Sequence, residues 1–442
     1  MTPMRNNLES TETPDAAPDP SVTTPETSTP SESGHTDRPG PHGTLVGRIA
    51  RIALIVVATI LALFALLSQL MAVLPVRWWP LHVLSFQLTL LLISAGRELL
   101  GSWNIVLAAL PLAAAVFLLR RGGRRRLPLV LSAVSGVALA LALITTTVQV
   151  FSVHGVTGKW FLFSPSTPTV SLGRGPDRTV TYATLDGKPM KADLYLPKTS
   201  PAAGAPLVVS IHGGGFFTGS RGRTVYTSWL ADHGYAVLDV DYRLAGSTEH
   251  TWNLADADVG CAMTWATAHA ATYDWDMKRV ATFGASAGGG LAVDVAYKTN
   301  AGTLKPSCGT AAQLPHVKTT VAPFPAVDTT TSATDTAFGK EAGEWYAGGS
   351  YAQYPERYDA VDSAKLITPS APPTLIFQGS ADHLLFAGRT KAFAAKLTAA
   401  GITNRYIEFP FMEHAYDTFS VNIGTKATRT LMLPWLQKYL GT

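Results

Sequence analysis

The chain has 442 residues, 47% of them hydrophobic and only 15% charged, against about 25% charged in an ordinary soluble domain. Lysine and arginine together number 35 against 31 acidic residues, and the excess sits among apolar runs rather than on a polar face, which argues against a nucleic-acid partner. The 2 cysteines are too few for a disulfide scaffold, and their spacing matches no metal site.

Residues 1–43 hold two basic and seven acidic side chains amid Pro, Ser and Thr. Such a stretch buries too little apolar surface to offset the entropy of ordering, so it reads as a disordered tail. The first apolar run begins too far from Met1 for a processed targeting peptide.

Residues 44–151 carry nine basic side chains and one acidic, and read as a membrane domain. Uncharged runs cover residues 52–74, 99–119 and 127–151. At about 1.5 Å per helical residue, each reaches across the ~30 Å hydrocarbon core. Between the last two lies "RRGGRRR", residues 120–126. Five arginines in one turn stay cytoplasmic under the positive-inside rule, and Arg48 and Arg51 put the N-terminus on the same side. The third span then leaves on the outer face, so residues 152–442 are expected outside the cytoplasm, anchored to the plasma membrane. A shorter apolar run at 81–95 follows Trp78 and Trp79 and precedes Arg97 and Glu98; it is expected as an interfacial helix, the alternative being a further span that moves the N-terminus outside and leaves the arginine turn inside. The competing reading of these runs, a buried helical hairpin of a soluble protein, gives the arginine turn no purpose. Cys261 and Cys308 both fall in the outer part, where a disulfide can persist; two unpaired buried thiols are the alternative.

Beyond residue 175 the pattern changes. Residues 180–184 and 190–196 alternate in polarity around "LDGK", whose Asp186-Gly187 is a hairpin turn signal. Short apolar strands are predicted at 207–211, 236–242, 280–283, 319–324, 375–378 and 406–409. Helices are predicted at 224–233, 253–269, 291–298, 387–400 and 428–440. Strands alternating with helices make a mostly parallel sheet covered on both faces, here with an antiparallel start: an α/β fold.

"ATFGASAGGGLAV", residues 281–293, crowds glycines around Ser286 between a strand and a helix. Gly284 and Gly288 leave room where a Cβ would clash, and the serine hydroxyl is forced outward: a G-x-S-x-G nucleophile elbow. Gly289 and Gly290 let the following helix pack closely on the sheet. A serine needs a base, and the oxyanion it creates needs donors. "VVSIHGGGFFTG", residues 208–219, offers backbone N–H groups in a glycine loop after a strand, an ordinary flexible loop being the alternative.

At this point the chain resembles bacterial esterases of the hormone-sensitive lipase type, within the α/β-hydrolase superfamily. "HGGGF" at 212–216, "DYRLA" at 241–245 and "GASAGG" at 284–289 stand in that family's order, and the resemblance covers roughly residues 175–442. It implies oxyanion donors at the backbone N–H groups of Gly214, Gly215 and Ala287, with His212 and Gly213 bracing the loop. It also implies an acid and a histidine in two later loops, in the order Ser, Asp or Glu, His. Asp382 in "QGSADHLL" and His414 in "FPFMEHAYD" occupy those loops, each just past a predicted strand. His383 is the rival base, and Asp328 and Glu413 are rival acids. Two departures leave the subfamily and substrate open: Ala285 stands where an acidic residue is usual, and Gly246-Ser247 follow "DYRLA" in place of Pro-Glu. Tyr242 and Arg243 read as scaffold for the glycine loop. The insertion at 328–362 contains Trp345, Tyr346, Tyr351, Tyr354 and Tyr358, which either wall a lid or pack the insertion itself; Phe216 and Phe217 are equally open.

The expectation is a membrane-anchored serine hydrolase of carboxylic esters, working on a small-molecule, lipid or envelope ester with Ser286, Asp382 and His414 and without metal or cofactor. A serine peptidase of the same fold and a non-catalytic envelope protein on a hydrolase scaffold are the alternatives.

Overall fold

The computed structural model describes residues 45–122, 125–163, 173–198, 203–222, 224–309 and 313–441. The tail expected to be disordered over 1–43 lies outside them, as do Gly123 and Arg124 of the arginine turn. The chain falls into two compact units, Met1–Ala50 and Arg51–Thr442; the described residues of the first are the opening turns of a helix.

Four helices come first: α1 (Leu45–Val73), α2 (Leu84–Leu100), α3 (Asn104–Arg120) and α4 (Arg126–Thr157). Among the described residues three stretches, Leu45–Val73, Leu84–Arg120 and Arg126–Thr157, are long and apolar enough to cross a membrane. The middle one is broken by a 3-10 turn at Gly101–Trp103, where Gly101 takes φ +50°. Small residues let α1, α3 and α4 approach closely. Ala58 packs with Ala115 and Leu131 at one level, and Ala65 with Ala108, Ala138 and Ala142 at the next. Above these, Thr145 Oγ donates to Gln69 Oε1 at 2.7 Å, a polar link buried between helices. At the opposite end Arg51 Nη2 donates to the Gly122 carbonyl at 3.3 Å, joining α1 to the end of α3.

The run at 81–95, expected along the membrane interface, makes buried contacts on one side. It belongs to α2, which extends through Arg97 and Glu98 and buries Gln87, Ser94 and both of those charged residues. Their partners lie in the α/β part.

That part begins with β1 (Arg178–Leu185) and β2 (Lys188–Tyr195), joined by Asp186 at φ +51° and Gly187 at φ +73°, the left-handed pair a tight hairpin needs. There follow β3 (Ala205–Ile211), α5 (Thr227–Ala231), β4 (Ala236–Val240), α6 (Ala255–Tyr273), β5 (Trp275–Gly284) and α7 (Ala287–Asn300). Next come β6 (Val317–Pro323), the insertion helices α8 (Thr329–Asp335), α9 (Ala337–Ala347) and α10 (Pro355–Asp359), then β7 (Thr374–Gly379), α11 (Ala387–Ala399), β8 (Asn404–Phe409) and α12 (Ile423–Leu440). The strands form one sheet in the order β1-β2-β4-β3-β5-β6-β7-β8. β1, β2 and β4 pair antiparallel, and every later neighbour pairs parallel.

The sheet is apolar on both faces, as a helix-covered parallel sheet must be. Along β3 the side chains alternate between two cores: Leu207, Val209 and Ile211 pack with α6 and α7, while Val208 packs with α5 and α12. Val153 of α4 joins the second core, so the last apolar helix runs into the α/β part as a packed element. The helix expected at 224–233 is only the short α5, and the final helix starts at Ile423, five residues ahead of its expected start, with Pro434 inside it. Cys261 on α6 and Cys308 are joined as a disulfide, with Cα atoms 5.7 Å apart.

Candidate active site

β5 ends at Gly284 and α7 starts at Ala287, so the chain reverses from strand to helix within two residues. Ser286 sits at the bend with φ +59° and ψ −126°, a region that side-chain-bearing residues seldom occupy. The surroundings over-determine it. Its N–H donates to the Pro323 carbonyl at 3.1 Å, and its own carbonyl accepts from Gly289 at 2.9 Å and Ala326 at 3.0 Å. The flanking glycines follow from the same crowding. A Cβ on Gly284 would lie 2.1 Å from the Gly288 carbonyl oxygen, and one on Gly288 would lie 2.2 Å from that of Ile211. Gly290 is packed with its α-carbon facing the Ala326 carbonyl, where a Cβ would come within 2.5 Å.

From this bend Ser286 Oγ reaches His414 Nε2 at 3.0 Å, across 128 residues of chain. His414 Nδ1 lies 2.9 Å from Asp382 Oδ2, so the ring donates to the carboxylate and accepts from the serine hydroxyl. Asp382 follows β7 and His414 follows β8, both at the C-terminal ends of parallel strands where open α/β sheets build their sites. Asp382 is fully buried, yet both its oxygens are satisfied. Oδ1 accepts from the N–H groups of Leu384 at 2.8 Å and Leu385 at 2.7 Å, and Oδ2 also accepts from Gln378 Nε2 at 2.8 Å.

The glycine loop lies beside the serine. A Cβ on Gly213 would come 2.8 Å from the Ala285 carbonyl and 3.3 Å from Ser286 Cβ. Gly214 and Gly215 take φ +122° and +61°, which turn the backbone back on itself. His212 braces the turn: its Nδ1 donates to the Gly213 carbonyl at 2.8 Å, and its ring stacks on Tyr242 with centroids 4.4 Å apart. Tyr242 OH in turn donates to the His212 carbonyl at 3.0 Å. Arg243 pairs with Asp258 through Nε and Nη2 at 2.9 and 2.6 Å, and so belongs to the scaffold.

The BD-FAE family model matches residues 192–397. Esterase LipC of Mycobacterium tuberculosis is 26% identical over 259 residues, covering 54% of this chain and 60% of that protein. Carboxylesterase NlhH of the same species is 28% identical over 269 residues, covering 58% of this chain and 79% of that protein. Esterase B of Lactobacillus rhamnosis superposes with a TM-score of 0.52 at 20% identity, over 60% of this chain and 87% of the other. The chain has the α/β-hydrolase fold. It resembles bacterial esterases of the hormone-sensitive lipase type, and α1–α4 precede the region that the family model matches.

Two chambers meet at Ser286. The larger, about 350 Å³, is lined by the glycine loop, Ser286, His414, Val225, Phe324 and Asp417. The smaller, about 40 Å³, has room for roughly three water-sized groups and runs under the insertion past Ala287, Gly339, Ala342 and Gly343. Phe338 walls both. None of Trp345, Tyr346, Tyr351, Tyr354 and Tyr358 lines either chamber; Tyr346 stacks on Phe216 at 4.1 Å, and Trp345 meets Phe217 edge-on at 5.0 Å. Phe216 itself lines the smaller chamber.

The rival groups have other partners. Asp328 caps α8, accepting from Thr331 N–H at 3.0 Å. His383 is fully buried and turns away from Ser286, its Nδ1 donating to Glu413 Oε2 at 2.6 Å. The neighbours 382–383 and 413–414 therefore pair crosswise, Asp382 with His414 and His383 with Glu413, which stitches the two loops together. Electrostatics follow from this packing. Burial opposes charge on His414, but the carboxylates of Asp382, Glu413 and Asp417 outweigh it and raise its pKa above the ordinary 6.5. Burial lowers that of His212, which keeps it neutral as a loop brace. Asp417, deep in the larger chamber and accepting from Tyr226 OH at 2.7 Å, is pushed by burial up to about 6.

Sequence reasoning missed Gln378, Phe338 and the polar face of α2. Gln378 is the last but one residue of β7, and a polar side chain ending a buried strand was the available signal.

Proposed function

We propose that the chain is a membrane-anchored serine ester hydrolase. Ser286 attacks the ester carbonyl while His414 Nε2 takes its proton; Asp382 holds the imidazole tautomer and steadies the imidazolium. The tetrahedral oxyanion is received by the backbone N–H groups of Gly214, Gly215 and Ala287, the last at the N-terminus of α7, where the helix dipole favours negative charge. Collapse expels the alcohol, which collects the proton from His414, and leaves the acyl group on Ser286. Water, deprotonated by the same imidazole, releases the acid and restores the serine. The observation that carries this reading is the unbroken chain Ser286 Oγ–His414–Asp382, at 3.0 and 2.9 Å, between two chambers.

The smaller chamber favours a short acyl group, of about acetyl to propionyl size, with the alcohol lying in the larger one. The apolar helices anchor residues 44–151 in the plasma membrane, and the arginine cluster together with the Cys261–Cys308 bridge favours placing the catalytic part outside the cytoplasm. The full-length protein in detergent is expected to hydrolyse p-nitrophenyl acetate with a burst, and to be labelled at Ser286 by a fluorophosphonate. Ser286→Ala should lower kcat by about 10³-fold or more and abolish labelling. Parental turnover by that variant would end the proposal.

A further inference from the structure

α2 carries four polar residues on one face. Gln87, Ser94, Arg97 and Glu98 are spaced by 7, 3 and 1 residues, which brings them to one side of a helix of 3.6 residues per turn, and all four are buried. Leu92, on the opposite side, is 75% exposed. A polar face inside an otherwise apolar helix is costly unless it is paired, and here Gln87, Ser94, Arg97 and Glu98 each reach a loop of the candidate site.

Gln87 bridges two of those loops. Its Nε2 donates to the carbonyl of His383, next to the catalytic Asp382, at 3.1 Å; its Oε1 accepts from the N–H of Phe338, the residue that walls both chambers, at 3.0 Å. Just ahead of the helix, the Leu81 carbonyl accepts from Ala337 N–H at 2.8 Å. One turn pair further along, Ser94 Oγ donates to Glu413 Oε2 at 3.1 Å. Glu413 is a hub: its Oε1 accepts from the N–H groups of His383 at 2.6 Å and His414 at 2.9 Å, and its Oε2 from His383 Nδ1. Below it, Glu98 Oε1 accepts from Glu413 N–H at 3.2 Å and from Arg97, which also donates to the Phe411 carbonyl.

We infer that α2 is a working part of the esterase site. Gln87 and Ser94 are positioning residues: they touch no substrate, but they fix the acid loop, the histidine loop and the Phe338 wall relative to one another through His383 and Glu413. The inference rests on the esterase reading above and adds that the site is completed by the apolar N-terminal helices, so that the packing of those helices sets the turnover rate.

The test uses full-length protein in detergent, with the concentration of competent sites fixed by fluorophosphonate titration. Ser94→Ala and Gln87→Ala are compared with Leu92→Ala on p-nitrophenyl acetate. Loss of the bond to Glu413 in Ser94→Ala, or of both loop-closing bonds in Gln87→Ala, predicts a fall in kcat per titrated site of roughly tenfold, with KM held within about twofold. Gln87→Glu, which keeps an acceptor for Phe338 but loses the donor to His383, should fall with Gln87→Ala, while Leu92→Ala stays at the parental rate. Parental kcat per titrated site in both Ser94→Ala and Gln87→Ala would overturn the role of α2 while leaving the esterase intact. A parental protein that takes no label would instead overturn the esterase reading and this inference with it. A misfolded variant lowers the number of titrated sites, not the rate per site, so the comparison still decides.

Discussion

Ser286 is held in a backbone conformation worth roughly 1–3 kcal/mol of strain, and the hydrogen bonds from Ser286 N–H to Pro323 and from Gly289 and Ala326 to its carbonyl retain it there. The strain aims one oxygen at one nitrogen. For that nitrogen to accept a proton, His414 must be neutral, and its pKa is raised by carboxylates that outweigh its burial. The sign follows directly. As pH falls through the raised value, the ring protonates and the base is lost; above it the base is fully present. The acid limb of kcat/KM for p-nitrophenyl acetate should therefore have its midpoint above 6.5, and a pH–rate profile on the full-length protein checks it. Asp382→Asn removes the nearest of those carboxylates and the bond to Nδ1, so that limb should move to lower pH while kcat drops.

The insertion between β6 and β7 sets the size of the smaller chamber. Asp328 and Thr336 cap its first two helices, and Gly339, Ala342 and Gly343 keep the α9 face small. Phe338 closes the gap between the chambers. Phe338→Ala should merge them and move the acyl preference upward, so that p-nitrophenyl butyrate gains on p-nitrophenyl acetate by about tenfold or more in kcat/KM ratio, in line with roughly 1–3 kcal/mol per methylene accommodated. A panel of p-nitrophenyl esters from two to eight carbons reads the shift. The aromatic residues that stood out in the insertion do other work: Tyr346 and Tyr358 are buried supports, and Tyr346 holds Phe216 by stacking.

The apolar helices and the sheet are built into one compact unit from Arg51 onward. Val153 enters a core of the α/β part, and α2 reaches the loops bearing His383 and Glu413, so the apolar helices are not a loosely tethered segment. Arg51 meets the Gly122 carbonyl at one end of the bundle, and Gln69 meets Thr145 at the other. In intact cells, a cysteine placed at Lys188, exposed at the hairpin, should react with a membrane-impermeant maleimide, whereas one at Arg51 should react only after permeabilisation. The reverse pattern would invert the proposed orientation.

Much of this was readable in order along the chain. Nearest-neighbour sterics and local periodicity fix a strand-to-helix bend at Ser286, a hairpin at Asp186-Gly187 and apolar runs long enough for a bilayer, because each depends on residues a few positions apart. The loops bearing Asp382 and His414 could be named because a parallel sheet delivers its strand ends to one edge. What no local pattern held was the choice between neighbours. Whether His383 or His414 faces Ser286, whether Glu413 or Asp382 meets the imidazole, and which ring of the insertion lines a chamber depend on how two loops cross. α2 is the clearest case: its composition suits a membrane surface, and its burial became evident only with Glu413 and His383 brought against it from some 300 residues away. Hydrogen bonds of that range are settled by packing, since a buried polar group takes whichever partner the folded chain brings within 3 Å or so.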